Sequence, residues 1–309
     1  MTDAGPSPAP TTAPAATDAV APADAPGPAD VAAPAEAPGR GRADAVGPAA
    51  AGTGPVAVDV ARSAGLLAGR RVVVVGGASG IGLATVRAAV AAGAAVAVLD
   101  ADGDGADRAA AEARLGGATA CARRVDVTVE DEVSAALDAV AAELSGIDAV
   151  LHVAGVMRGQ GLDVRDVPVE LWHRVLAVNL TGPFLVAKHA ARHLTPGTGV
   201  LVLVGSKAGV LAGSGSVPYG ASKGGLHGLA LTLARQLDPQ GIRVHALLPG
   251  DIDTPLMRRS LAEARANGAD RHRIAELAAT LGRPEDVASA LVLLASPVSA
   301  GVVGTVHAG

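Results

Sequence analysis

Arg71-Val72-Val73-Val74-Val75-Gly76-Gly77-Ala78-Ser79-Gly80-Ile81-Gly82 is the stretch on which the reading of this chain turns. Its valines run without a polar break, the pattern of a strand buried on both faces. Gly76, Gly80 and Gly82 then let the backbone turn tightly and approach a ligand closely. Ile81–Ala92 reads as a helix, so the loop, with Ser79 and Ile81 in it, ends at a helix N-terminus. Free N–H groups and the positive end of the dipole favour a phosphate there. In a chain with 40 glycines such a cluster carries little weight by itself. Its position between a strand and a helix is what makes it informative.

Working outward, short Val/Leu runs alternate with longer Ala-rich stretches. Strands are expected at Arg71–Val75, Ala95–Asp100, Ala118–Val125, Ala149–Val153, Gly199–Gly205, Arg243–Leu248 and Val302–Val306. Helices are expected at Ile81–Ala92, Ala106–Leu115, Glu130–Leu144, Val217–Leu237 and Pro284–Leu294, with one long helix or two over Val169–Leu194. All-apolar strands separated by helices imply an α/β fold: a doubly wound parallel sheet with helices on both faces.

Asp100 closes the second strand, 18 residues after Gly82. A dinucleotide-binding fold of Rossmann type places there the acid that bonds the adenosine ribose 2′-hydroxyl. A carboxylate at that point repels a 2′-phosphate, and no Arg or Lys adjoins it in sequence. The expected cofactor is therefore NAD rather than NADP.

Tyr219-Gly220-Ala221-Ser222-Lys223 opens a helix and sets a phenol and an ammonium at i and i+4, on one helix face. A phenol is a poor base near neutrality, with an ordinary pKa of about 10. A neighbouring Lys⁺ and the helix N-terminus are expected to lower it. Ser206 lies 13 residues earlier, just past the fifth strand, where a hydroxyl can hold a substrate oxygen. Asn179-Leu180-Thr181-Gly182 is poor mid-helix material and predicts a local kink, with polar groups freed for a water or for Lys223.

In these residues the chain resembles the short-chain dehydrogenase/reductase family, over about Gly69–Gly309. The match includes the glycine motif at Gly76, Gly80 and Gly82, the Tyr-x-x-x-Lys pair at Tyr219 and Lys223, Ser206, and Asn179. The resemblance implies an NAD-dependent oxidoreductase that interconverts a secondary alcohol and a ketone, with Tyr219 as general acid/base. It further implies that Asp126-Val127 meets the adenine, that Ala154-Gly155 lines the cofactor, and that Pro249-Gly250 with Ile252 and Thr254 meets the nicotinamide end. A homotetramer is implied as well. Three departures stand out. Val75 replaces the family's Thr, His152-Val153 replaces its Asn-Asn pair, and His307-Ala308-Gly309 stands where it has Asp-Gly-Gly.

Within the family, a dihydro-dihydroxybenzoate-type dehydrogenase and a 3-oxoacyl carrier reductase are alternatives. Asp100 speaks against the second. A Val-Ala-Gly-Val-x-Arg stretch ending at Arg158 speaks for the first, and Arg158 becomes the candidate to hold a substrate carboxylate. Outside enzymology, a dinucleotide-binding regulator that has lost catalysis is the competing reading. The intact Tyr219, Lys223, Ser206 and Asn179 set weighs against it. Residues 255–281 carry a basic excess and a turn at Asn267-Gly268, and are expected to cover the substrate as a lid.

The remainder bounds the answer. Net charge is −5 with no Lys/Arg run, so neither nucleic acid nor an anionic membrane is an expected partner. Eleven of the 20 prolines fall in residues 1–55, whose only larger aliphatics are Val20, Val31 and Val46. Such a segment buries too little to offset its ordering entropy, so residues 1–60 are expected to form a disordered tail before a catalytic domain over 61–309. There is no secretory signal pattern and no long apolar run. The lone Cys121 fits a reducing cytoplasm. His189 and His193 share a helix face, but no carboxylate stands at a ligand spacing, so a solvated face is expected and no metal. Glu170 and Arg174 are expected to pair on the surface.

Overall fold

The computed structural model describes Met1 and residues 65–211 and 213–308. The tail expected at 1–60 therefore lies outside the described residues. Seven strands form one parallel sheet: β1 Arg71–Val75, β2 Ala95–Asp100, β3 Ala120–Arg124, β4 Ala149–His152, β5 Val200–Val204, β6 Arg243–Pro249 and β7 Gly304–Ala308. Their spatial order is β3-β2-β1-β4-β5-β6-β7. The order reverses between β1 and β4, where Val75 stands beside His152 in register. A crevice opens beyond the strand C-termini at such a switch point.

Helices separate the strands and pack on both faces of the sheet. The described helices are α1 Gly80–Ala91, α2 Gly103–Leu115, α3 Glu130–Leu144, α4 Val169–Leu176, α5 Gly182–Ala190, α6 Val217–Leu237, α7 Pro255–Ala266, α8 Arg271–Ala279 and α9 Pro284–Ala295. Alternate strand side chains divide between two apolar layers. Val73, Val150 and Leu201 pack with α3, α5 and α6. Val74, Leu151 and Val202 pack with α1, α2 and α9. No helix among the described residues is long and apolar enough to cross a membrane.

The boundaries differ from expectation where local chemistry intervenes. Helix α2 starts at Gly103 because Asp102 caps it, accepting from the Gly105 N–H at 3.0 Å. The Val169–Leu194 segment is two helices joined by a π turn at Ala177–Thr181, which is the break that Asn179 and Gly182 foreshadow. The last strand is shifted to Gly304–Ala308, because Val302 is held in a turn by the Ser299 carbonyl and the pairing with β6 begins at Gly304. Asn267-Gly268 does end a helix, with Gly268 at φ +89°.

His189 and His193 do not form a solvated face. His189 Nε2 lies 2.9 Å from Glu130 and His193 Nε2 2.6 Å from Asp138, both carboxylates from α3. They are inter-helix pairs that sequence spacing hides, and no group of three potential metal ligands occurs among the described residues.

Candidate active site

A cavity of about 470 Å³ occupies the crevice at the strand C-termini. Its walls come from the loops after β1, β2, β3, β4, β5 and β6 and from the first turns of α1, α6 and α7.

The glycine loop forms one end. Gly76 has φ +87°, and a Cβ there would stand 2.5 Å from the Ala154 amide nitrogen. A Cβ on Gly82 would overlap the Gly76 carbonyl oxygen. The loop is thus packed too closely for any side chain at either position. Ser79 precedes α1 without capping it, so no side chain occupies the helix's first-turn N–H groups, and Ser79, Gly80, Ile81 and Gly82 all line the cavity. The donor set fits a pyrophosphate.

Asp100 accepts from the Ala78 N–H at 2.9 Å and the Asp102 N–H at 3.0 Å, and it faces the same cavity. Its carboxylate therefore braces the glycine loop as well as offering an acceptor to a ligand hydroxyl. Sequence adjacency missed a cation here. Arg124 stands opposite Asp100 in register on β3, yet it lies 3.8 Å from Glu132 and does not line the cavity. Asp126 and Val127 do line it. Thr128 donates to Asp126 from both its N–H (2.9 Å) and its hydroxyl (2.7 Å), which holds this carboxyl below its usual range.

At the other end, Ser216 caps α6 and Pro218 sits in its first turn, so Tyr219 and Lys223 project from the helix start into the cavity. The Ser206 hydroxyl lines the same cavity and acts on the Tyr219 phenol. Lys223 Nζ lies 5.8 Å from the tyrosine ring centroid and donates to the Val204 carbonyl at 2.8 Å. Burial lowers this lysine to about 8. Tyr219 departs from expectation. Burial pushes the phenol above its ordinary value, the Ser206 hydroxyl opposes this, and the Asp251 carboxylate adds to the rise. Desolvation of the phenolate outweighs the stabilisation expected from the lysine.

Asn179 is fully buried in the π turn. Its Oδ1 accepts from the Val156 N–H at 2.8 Å, and its Nδ2 donates to the Val156 carbonyl (2.8 Å) and to Ser222 Oγ (3.1 Å). The side chain is not freed for a water or for Lys223, as the kink suggested. It staples the Ala154–Met157 loop to α6. A Cβ on Gly155 would lie 3.3 Å from Asn179 Oδ1 and 3.6 Å from Lys223 Nζ, so the three converge at one point.

Pro249, Gly250, Ile252 and Thr254 close the cavity from the β6–α7 loop, with Ala154 and Gly155 facing them. Arg158 is exposed and is not among the lining residues. The chain turns at Gly159, and what Arg158 contributes is its carbonyl, which accepts from Ser216 Oγ. Three charged lining residues were not assigned to the site from the sequence: Arg174, Asp251 and Arg259. Arg174 forms no ion pair with Glu170 and instead acts electrostatically on Asp126. The basic excess of residues 255–281 includes Arg259 without singling it out, and nothing in the one-dimensional pattern marks Arg174 or the loop residue Asp251.

His152 takes the place of the first asparagine of the family's pair. It is fully buried at the end of β4, with neither ring nitrogen hydrogen-bonded. Burial and the nearby Lys223 charge lower it to about 3, so the imidazole is neutral.

A fold and site of this kind define a nicotinamide-dependent oxidoreductase, and comparison with known proteins agrees. The sequence profile of the family described as Enoyl-(Acyl carrier protein) reductase matches residues 76–308. Cis-4-hydroxycyclohexanecarboxylate dehydrogenase of Sinomonas cyclohexanicum is 40% identical over 77% of this chain and 94% of its own length. 2-(S)-hydroxypropyl-CoM dehydrogenase 3 of Xanthobacter autotrophicus is 34% identical over 77% of this chain and 93% of its own. A crystal structure of a short-chain dehydrogenase from Burkholderia cenocepacia in complex with NADP has a TM-score of 0.69 at 29% identity, covering 78% of this chain and 96% of that one. The chain belongs to the short-chain dehydrogenase/reductase family, whose members use nicotinamide dinucleotides.

Proposed function

We propose that this protein transfers a hydride between NAD(H) and a secondary alcohol or ketone, with Tyr219 as general acid/base. The observation that carries the reading is the meeting, in one cavity, of the Tyr219 phenol, Ser206, Lys223 and a phosphate-binding loop braced by Asp100. Gly76, Ser79, Gly80, Ile81 and Gly82 would hold the pyrophosphate, Asp100 the adenosine ribose, and Asp126-Val127 the adenine. Ala154, Gly155, Pro249, Gly250, Ile252 and Thr254 would enclose the nicotinamide. When bound, the nicotinamide supplies the two-electron hydride exchange.

The protein's own groups handle the proton and the geometry. Tyr219 takes the hydroxyl proton as the alcohol is oxidised and returns it in the reverse direction. Ser206, on the same wall as the phenol, orients the substrate oxygen. Lys223 stabilises the phenolate that forms, and Asn179 fixes the loop and helix that carry these groups. The elevated phenol pKa means that the proton-transfer group is protonated at rest, poised to donate to a ketone. In the alcohol direction, turnover is expected to rise with pH.

NAD is favoured over NADP because Asp100 is the acceptor on the cavity wall at the end of β2, where its carboxylate would repel a 2′-phosphate. The same reading takes the protein as a cytoplasmic homotetramer. Phe184 on α5 and Leu231 on α6, 46% and 50% exposed, supply apolar surface for association.

The test is a panel of secondary alcohols and ketones with both NAD(H) and NADP(H), run beside Tyr219→Phe. We expect NAD-linked turnover that falls at least about 10²-fold in the variant, with NADH binding retained. Wild-type turnover in Tyr219→Phe refutes the mechanism, and preference for NADP(H) refutes the role of Asp100.

A further inference from the structure

We infer that the cavity is built for a substrate carrying a carboxylate remote from its alcohol carbon, and that Arg259 is the group that receives it. The inference rests on the dehydrogenase reading above.

The argument begins with α7. Its first residues lie over the glycine loop, where a Cβ on Gly80 would stand 3.2 Å from Thr254 Cγ2. Its far end is tied to the loop after β4. Glu263 Oε1 accepts from the Gly159 N–H at 3.0 Å, and Asn267 Nδ2 donates to the Gln160 carbonyl at 2.8 Å. The helix therefore runs along the cavity with its far end tied to the β4 loop, and Arg259, in its second turn, is on the cavity wall.

Arg259 is electrically unengaged. Its neighbour Arg258 is held by Asp253, with both hydrogen bonds at 2.7 Å. Glu263, one turn on, is positioned to neutralise Arg259 but is turned to Gly159 instead. Among the described residues the Arg259 side chain makes no hydrogen bond or ion pair. Of the other cations on the wall, Lys223 donates to the Val204 carbonyl, and Arg174 lies within electrostatic reach of Asp126. A guanidinium without a partner at a cavity wall is suited to a planar carboxylate, which it binds through two parallel hydrogen bonds.

Position follows from the other charges. Asp251 acts on the Tyr219 phenol and so lies at the reacting end, where it repels an anion next to the alcohol carbon. A 2-hydroxy acid is disfavoured for that reason. A carboxylate reaching Arg259 across an apolar body is accommodated, since Met157, Leu256, Leu261 and Leu277 also line the cavity. The basic excess visible in residues 255–281 thus resolves into one unengaged arginine. The anchor is Arg259 rather than Arg158.

The test compares 4-hydroxycyclohexanecarboxylate with its neutral carboxamide in the wild-type enzyme, in Arg259→Gln and in Arg259→Lys, and measures NADH affinity by fluorescence in each. We expect wild-type kcat/KM to favour the carboxylate at least 10-fold, with the difference mainly in KM. Arg259→Gln should bring the ratio to within about twofold, Arg259→Lys should retain part of it, and NADH affinity should hold within about twofold. A wild-type enzyme active on alcohols but indifferent to the carboxylate overturns the inference alone, and needs no variant to fold. An unchanged ratio in Arg259→Gln overturns it as well. A loss of NADH affinity in that variant overturns it by assigning Arg259 to the nucleotide phosphates. An enzyme inactive on every secondary alcohol and ketone, charged or neutral, refutes the dehydrogenase reading itself.

Discussion

Tyr219 is the only tyrosine in 309 residues, and Lys223 is one of three lysines beside 22 arginines. In a composition so biased towards small residues, such side chains persist where their chemistry is needed. Their surroundings set what that chemistry is. Burial raises the phenol and lowers the lysine, so each neutral form is favoured until a ligand supplies compensating charge. The lysine's position near 8 implies that its ammonium, and the phenolate stabilisation it provides, fade above that pH in the ligand-free protein. Asp100 permits a second test at this scale. Asp100→Ala removes the acceptor proposed for the ribose and a brace of the Ala78 N–H, and is expected to lower the ratio of kcat/KM for NAD over NADP at least 10-fold. Steady-state kinetics with both cofactors measure this, and an unchanged ratio assigns cofactor choice elsewhere.

At the scale of elements, the glycine loop and the π turn do different work. The loop gives α1 close access to a ligand, and its packing tolerates no Cβ at Gly82. Gly82→Ala must displace the start of α1 from the Gly76 carbonyl. We expect NADH binding to weaken at least 10-fold while far-UV circular dichroism stays near wild type. The π turn places one buried amide where three hydrogen bonds meet. Asn179→Ala deletes all three and leaves the Val156 N–H and carbonyl without those partners. At about 1 kcal/mol for each bond, a stability loss of about 3 kcal/mol is expected in urea denaturation, together with a fall in kcat as the Ala154–Met157 loop loosens. A change under about 1 kcal/mol would show that water replaces the amide without cost.

The whole molecule responds to pH through its buried groups. His152, lowered to about 3, is neutral when folded but takes up a proton near its ordinary value of about 6.5 when unfolded. The unfolded state therefore binds more protons between these values, and stability falls as pH drops from 6.5 towards 3. Asp148 acts in the same direction over a lower window. Its carboxyl is drawn down to about 2 by hydrogen bonds from Arg71 and Thr195 against its burial, and the stability it confers is lost as pH falls from its ordinary range through that value. We expect the urea midpoint to fall steadily below pH 6.5. His152→Asn, which restores the family's residue, should recover a few kcal/mol of the loss between pH 6.5 and 3. A variant with the wild-type slope would mean that the imidazole is hydrated or protonated in the fold.

The sequence determined the layered architecture, the glycine loop and the Tyr219–Lys223 pair. Each depends on short-range facts: strand polarity, backbone freedom at glycine, and the i, i+4 geometry of a helix. Boundaries shifted only where a cap or a turn intervened, as at Asp102 and Val302. Tertiary structure alone decided the electrostatics. It set Arg124 opposite Asp100, gave His189 and His193 carboxylate partners 59 and 55 residues away, and aimed Asp251 at the phenol. It also removed Arg158 from the cavity and put Arg259 on its wall. The physical reason is the same in every case. A charge acts through distance and burial, and both are fixed by how helices and loops dock on the sheet rather than by neighbours along the chain.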